Sequence, residues 1–259
     1  TIVMNGGVLR LKTLAAEGGE EVNGYYKIYE AKADLSGERK RVTAGAGTEY
    51  ILHSGEYLVT STWGETNESV SAVVMPGQMT SETIIANGGI LNVTTSLTEG
   101  GESVKAYYNV YEAKANLQGE RRRVTAGAGG KFTLPAGDYR ITSKWGEATG
   151  ISEATVTAGA AADSHIVVSA GVLTVKVVDA NGAAVKGYHS ISESAPNLEG
   201  NRKRVTAGAG NEYKLPAGTY LISSKAGDLT GQVDGVTVKA GETVEAEIPV
   251  ELAARFREA

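Results

Sequence analysis

Apolar and polar residues alternate along most of this chain. In Val8-Leu9-Arg10-Leu11-Lys12 the two leucines share one face and the two cations the other. That is the period of a strand with one buried side. The same stretch returns as Ile90-Leu91-Asn92-Val93 and as Val172-Leu173-Thr174-Val175-Lys176. A polar turn, Glu17-Gly18-Gly19-Glu20 in the first case, leads to a second strand, Tyr25-Tyr26-Lys27-Ile28-Tyr29-Glu30. A third strand carries Arg-x-Arg-Val-Thr and breaks at Gly-Ala-Gly. A tight turn, Leu134-Pro135-Ala136-Gly137 or Leu215-Pro216-Ala217-Gly218, separates the fourth strand from the fifth. Proline presets φ there and glycine accepts a positive one. Two more strands close the unit. About seven short strands without helical periodicity predict a small antiparallel β-sandwich.

The pattern occurs three times. Val-Thr-Ala-Gly-Ala-Gly stands at 42–47, 124–129 and 205–210, and 18 of 23 residues are identical between Tyr25–Gly47 and Tyr107–Gly129. A fixed period of this length signals repeated structural units. The predicted fold is all-β: three tandem Ig-like sandwich modules over 5–86, 87–169 and 170–250. Their connectors, Asn87-Gly88-Gly89 and Ser169-Ala170-Gly171, are short enough to predict an elongated, semi-rigid rod. Thr1–Met4 aligns with the closing strand at Thr83–Ala86, so residues 1–4 are expected to end an upstream module. Residues 251–259 contain good helix formers and predict a short helical tail.

Composition narrows the chemistry. The 259 residues carry a net charge of −5, 34 glycines, 12 tyrosines and no cysteine. The acidity argues against nucleic acid as a partner. The lack of cysteine excludes disulfides, thiolate catalysis and Cys-based metal sites. No apolar run is long enough to predict membrane insertion.

The motif series Val185-Lys186-Gly187, Thr206 to Tyr213, Leu215 to Tyr220 and Val238 to Gly241 resembles the carboxypeptidase-regulatory-like, or transthyretin-like, β-sandwich repeats of bacterial envelope proteins. Such repeats also stand beside von Willebrand type A domains. The resemblance implies a non-enzymatic stalk or protein–protein interaction module, located outside the cytoplasm in the periplasm or on the cell surface. Some relatives carry a Lys–Asn isopeptide cross-link. Here Lys12 becomes Thr94, and the closing strands Thr80–Ala86 and Asp163–Val168 contain no Asn, so that link is not expected.

Several residue groups have the composition of possible sites. Gly-Ala-Gly is followed by a strand, not the helix that a phosphate loop requires. Trp63 and Trp145 share strand faces with Tyr57 and Tyr139, which predicts a place at the core edge, and the third copy has Ala226. His53, His165 and His189 have no counterparts that would make a metal set. The hairpins around Glu17 and Glu99 lack the ligand alternation of a calcium loop. No metal or cofactor is expected, and no catalytic constellation is visible, so the chain is not read as an enzyme.

Two features point to contact. The triplets Arg39-Lys40-Arg41, Arg121-Arg122-Arg123 and Arg202-Lys203-Arg204 keep their outer arginines, while Glu30, Glu112 and Glu193 recur on the neighbouring strand. Cross-strand pairs between those arginines and glutamates are expected. Tyrosines crowd the second strand at Tyr25, Tyr29, Tyr107, Tyr111 and Tyr188. Burial of Ile28, Val110 and Ile191 would turn them outward, whereas the family pattern would bury the Tyr25 side. The candidate partner face is therefore Tyr25, Tyr29, Arg39, Arg41, Tyr107, Tyr111, Arg121, Arg123, Tyr188, Arg202 and Arg204. Its expected partner is another protein domain, of the same chain or a different one. The alternative is a polyanionic glycan.

Overall fold

A computed structural model of the chain describes residues 5–252. Those residues form strands and turns, with no helix. The first sequence repeat contains β1 (Gly6–Leu14), β2 (Glu21–Val22), β3 (Tyr25–Ala33), β4 (Arg39–Gly45), β5 (Glu49–His53), β6 (Gly55–Trp63), β7 (Thr66–Val74) and β8 (Met79–Ile85). The second contains β9 (Gly88–Ser96), β10 (Tyr107–Glu112), β11 (Arg123–Gly127), β12 (Lys131–Pro135), β13 (Gly137–Trp145), β14 (Ala148–Val156) and β15 (Ala161–Val167). The third contains β16 (Ala170–Val178), β17 (Tyr188–Glu193), β18 (Arg204–Gly208), β19 (Glu212–Pro216), β20 (Gly218–Ala226), β21 (Leu229–Val238) and β22 (Thr243–Pro249), followed by β23 (Glu251–Leu252).

The chain divides into two compact units. One comprises Thr1–Val93, Asn109–Ile141 and Glu153–Ser164; the other comprises Thr94–Tyr108, Thr142–Ser152 and His165–Ala259. In the first unit, β2-β1-β5 with β8 beside β1 makes one sheet and β4-β3-β6-β7 another. Leu9, Leu11 and Ile84 of the former meet Tyr26, Ile28 and Val59 of the latter in one core. In the second unit, β19-β16-β22 faces β18-β17-β20-β21-β23. Leu173, Val175 and Ile248 pack there against Ile191, Tyr220 and Ile222. Burying each such aliphatic side chain stabilises the fold by about 1.5–3 kcal/mol. The remaining strands form the sheets β12-β9-β15 and β11-β10-β13-β14.

The antiparallel expectation needs one correction. β8 runs parallel to β1, with Leu11 opposite Glu82, and β22 runs parallel to β16, with Val175 opposite Ala246. The chain crosses to the other sheet and returns between the two strands, and a crossover of that kind permits parallel pairing. The helical tail is corrected at its first two residues. Glu251 and Leu252 continue as β23, antiparallel to β21. Residues 253–259 and the predicted upstream strand, residues 1–4, lie outside the described residues.

The Gly-Ala-Gly segment is a corner, as its following strand implied. It carries the chain from β4 in one sheet to β5 in the other. Tyr50 Oη donates to the Gly45 carbonyl at 3.0 Å, and Tyr213 Oη to the Gly208 carbonyl at 2.9 Å. These bonds hold the two ends of the corner together.

Candidate partner-binding face

The second strand of each repeat decides which side chains reach the surface. Tyr26 and Ile28 are buried in β3, while Tyr25 is about half exposed. Tyr107 and Tyr188 are exposed to a similar degree in β10 and β17. The face that would have been buried on the family pattern is therefore the outer one. Apolar Ile28, Val110 and Ile191, all fully buried, set this orientation. Tyr29 and Tyr111 are half-buried on the same outer side. Arg41 lies directly across from Tyr29, and Arg204 across from Ser192.

The glutamates pair differently from the expectation. The middle residue of each triplet, not an outer arginine, reaches the acid. Lys40 Nζ lies 3.0 Å from Glu30, Arg122 Nε 2.9 Å from Glu112 and Lys203 Nζ 3.1 Å from Glu193. The first arginine of each triplet instead donates to a backbone carbonyl: Arg39 to Ala31, Arg121 to Ala113 and Arg202 to Ser194, at 2.8–3.0 Å. A chain irregularity between β3 and β4 shifts the register near Tyr29 and so rotates the alternation. The third arginines, Arg41, Arg123 and Arg204, are exposed and make no side-chain bond among the described residues. Exposed pairs of this kind contribute little to stability, about 0–1 kcal/mol.

Exposed apolar side chains, which periodicity does not single out, stand beside these cations. Leu35, Leu117 and Leu198 are fully exposed at the tips of the loops that precede the triplets. Each loop is held from within. Asp34 Oδ1 accepts from the amides of Ser36 and Glu38 at 2.8 and 2.9 Å. Asn116 and Asn197 accept equivalent bonds. The Ser36 hydroxyl, ahead of these amides, holds the Asp34 carboxyl below its ordinary value. The signal available in the sequence was the threefold Asp/Asn-Leu-x-Gly; an apolar residue kept in a polar turn is otherwise unexplained by packing.

Trp145, His165 and His189 are engaged in contacts within the fold, whereas His53 is exposed. Trp145 is buried, with Lys214 Nζ 5.1 Å from its ring centre. His165 bridges Thr94 Oγ1 and Ser96 Oγ, both at 2.9 Å. Lys176, at the Thr94 position, pairs with Glu247 at 2.7 Å instead. Buried His189 lies 2.8 Å from Ser224 Oγ, and burial pushes its pKa down. Among the described residues, no three His, Asp or Glu side chains gather where a metal ion would fit.

Successive repeats meet through one recurring joint. The β6–β7 hairpin tip presents Gly64 and Glu65 to the edge of β12, and the Glu65 amide donates to the Thr133 carbonyl at 3.0 Å. The β13–β14 tip repeats this on β19, where the Glu147 amide donates to Lys214 at 2.9 Å. A methyl group at Gly64 or Gly146 would lie 2.4 or 2.3 Å from Thr133 or Lys214. In both joints the tip glutamate shares a groove with the central cation of the next triplet: Glu65 with Arg122, Glu147 with Lys203.

No family model matches the chain, and no characterised protein matches it in sequence. Similar solved structures include the Bacillus anthracis TIE protein, at 17% identity and a TM-score of 0.25, over 95% of this chain and 51% of that one. The chain thus spans about half the length of that protein. The minor pilin GBS52 of Streptococcus agalactiae is 12% identical over 66% of this chain and 99% of its own, with a TM-score of 0.33. A streptococcal ancillary pilin is 8% identical over 95% and 99%, also with a TM-score of 0.33. Among the described residues, no helix is long and apolar enough to cross a membrane.

Proposed function

We propose that this chain is a non-enzymatic structural region of a bacterial surface or secreted protein. It is built from three sandwich modules, over 5–86, 87–169 and 170–250, that hold or join other protein domains. The observation carrying this reading is the joint. The same tip-to-edge hydrogen bond recurs at Glu65–Thr133 and Glu147–Lys214, with glycines that leave no room for a side chain. A region built only to carry binding sites on flexible links has no need of keyed joints. The connectors agree: Asn87 and Ser169 sit at φ 49° and 47°, a left-handed backbone that non-glycine residues rarely adopt. Their carbonyls accept from Ala136 and Ala217 at 2.9 and 2.7 Å.

On this scaffold the contact surface is the recurring strip of exposed Leu, Arg and Tyr. Leu35, Arg41 and Tyr25 of the first module have equivalents at Leu117, Arg123, Tyr107 and at Leu198, Arg204, Tyr188. Exposed aromatic and apolar residues ringed by arginine suit a protein partner. Extracytoplasmic placement belongs to the same proposal.

Stretching single molecules tests the module count. Three unfolding steps, each releasing on the order of 25–30 nm for about 82 residues, are expected. One concerted step, or two, would sink the three-module scaffold.

A further inference from the structure

Each exposed leucine of the Leu, Arg and Tyr strip sits on a closed turn. The Asp34 amide donates to the Glu38 carbonyl at 2.8 Å, and the Asn116 and Asn197 amides close the same ring on Glu120 and Asn201 at 2.7 and 2.8 Å. Gly37, Gly119 and Gly200 complete the turns at φ 85°, 81° and 81°. The residue after each leucine changes from Ser36 to Gln118 to Glu199, while the leucine does not. An apolar side chain presented on a rigid turn loses little conformational freedom when a partner covers it.

We propose that each strip binds an extended acidic segment of a partner protein. Apolar side chains of that segment cover the leucine and Tyr25, Tyr107 or Tyr188, and a carboxylate reaches Arg41, Arg123 or Arg204. Charge argues for this occupant. Residues 30–42, 112–124 and 193–205 carry net charges of +1, +2 and +1, in a chain of net charge −5. A second copy presenting the same strip would bring like charges together. Two of the three cations in each triplet are already engaged, the first on a backbone carbonyl and the middle one on a glutamate. A polyanionic glycan or an anionic membrane is held by clusters of free cations, and one free arginine per triplet is too few. One arginine set between an apolar and an aromatic side chain has instead the make-up of a protein-binding hot spot.

The strip also has the shape of a line. Arg41 lies across from Tyr29, and Tyr25 stands four residues away on the same outer face of β3. That separation is on the order of 13 Å, the span of about five extended residues. The leucine turn lies beyond the Tyr29 end, where β3 passes into β4. The second strip is as exposed as the other two, although a repeat stands on either side of it in the chain. Its openness therefore belongs to the module.

Random short peptides displayed on phage and selected against the full chain test this. The enriched peptides are expected to be acidic, with apolar residues interleaved. Once synthesised, they should bind at least about tenfold more weakly to the chain carrying Arg41→Gln, Arg123→Gln and Arg204→Gln together. The same loss is expected for Leu35→Ser, Leu117→Ser and Leu198→Ser together. Amide shifts of the wild type with peptide should centre on residues 25–41, 107–123 and 188–204, and these shifts decide should a variant fail to fold. Absence of enriched peptides, enriched peptides that are neutral or basic, binding that either folded variant retains, or shifts centred elsewhere overturns the proposal. So does tighter binding of heparin or of phosphatidylglycerol vesicles through the same arginines. The inference rests on the contact strip proposed above but fails separately from the scaffold, because stretching a single molecule needs no peptide.

Discussion

His189 Nδ1 lies 2.8 Å from Ser224 Oγ inside the third-repeat core. The first repeat fills the equivalent place with Tyr26, whose hydroxyl meets Thr13 at 3.0 Å, and Thr13 meets Ser61 at 2.7 Å. The second repeats that set with Tyr108, Thr95 and Ser143. In the third, Val177 replaces the threonine and histidine replaces the tyrosine. One core position thus carries an imidazole, which titrates nearer neutrality than the phenol of the other two repeats.

Acid sensitivity follows. Burial lowers the folded-state pKa of His189 below that of the unfolded chain, near 6.5. In the window between the two values the unfolded state binds the extra proton, so stability rises with pH. It is complete above about pH 6.5 and is lost as pH falls towards the folded value, by at most about 1.4 kcal/mol per pH unit. Melting curves between pH 5 and 7.5 should show this slope in the wild type. The double variant His189→Tyr, Val177→Thr, which rebuilds the tyrosine set, should flatten it.

The buried hydroxyl set predicts a cost asymmetry. Thr13→Val leaves the Tyr26 and Ser61 hydroxyls without their shared partner in a buried place, and should cost about 1–3 kcal/mol. Adding Tyr26→Phe and Ser61→Ala removes the stranded groups and should recover part of that loss. Urea unfolding of the single and triple variants checks it; equal losses would count against the network.

Three glycines at matching tips separate backbone strain from contact. Gly64, Gly146 and Gly227 all have φ near 60°. Alanine at any of them meets the left-handed penalty of about 1–2 kcal/mol. At Gly64 and Gly146 it also collides with the next strand, whereas at Gly227 the space is open. Gly64→Ala and Gly146→Ala should therefore destabilise more than Gly227→Ala, measured by denaturant midpoint on the monomer. Equal effects would mean that the joints contribute nothing beyond φ.

Serine at Leu35, Leu117 and Leu198 together should leave the melting temperature unchanged, since surface positions of this kind shift stability by no more than about 0.5 kcal/mol each. Retention on a hydrophobic matrix should fall. A drop in melting temperature would show that these leucines support their loops instead of facing a partner.

Sequence periodicity by itself determined the strands, the corner at Gly-Ala-Gly and the division of each strand into two faces; which face of the second strand is buried was decided by the packing around Ile28, Val110 and Ile191. Periodicity also determined that the basic triplets and their glutamates sit on neighbouring strands. Which cation reaches the acid was decided only in three dimensions. A register shift between β3 and β4 rotates the alternation, and Lys40 takes the place expected of an arginine. Tertiary structure likewise decided the parallel β1–β8 pairing, which depends on a crossover through a second sheet. The exposed leucines were present in the sequence, but a hydrophobic residue in a turn reads as core until the packing around it is known. The joints were invisible for a related reason: Gly64 and Thr133 are 69 residues apart, and no local pattern records that one must stay small for the other.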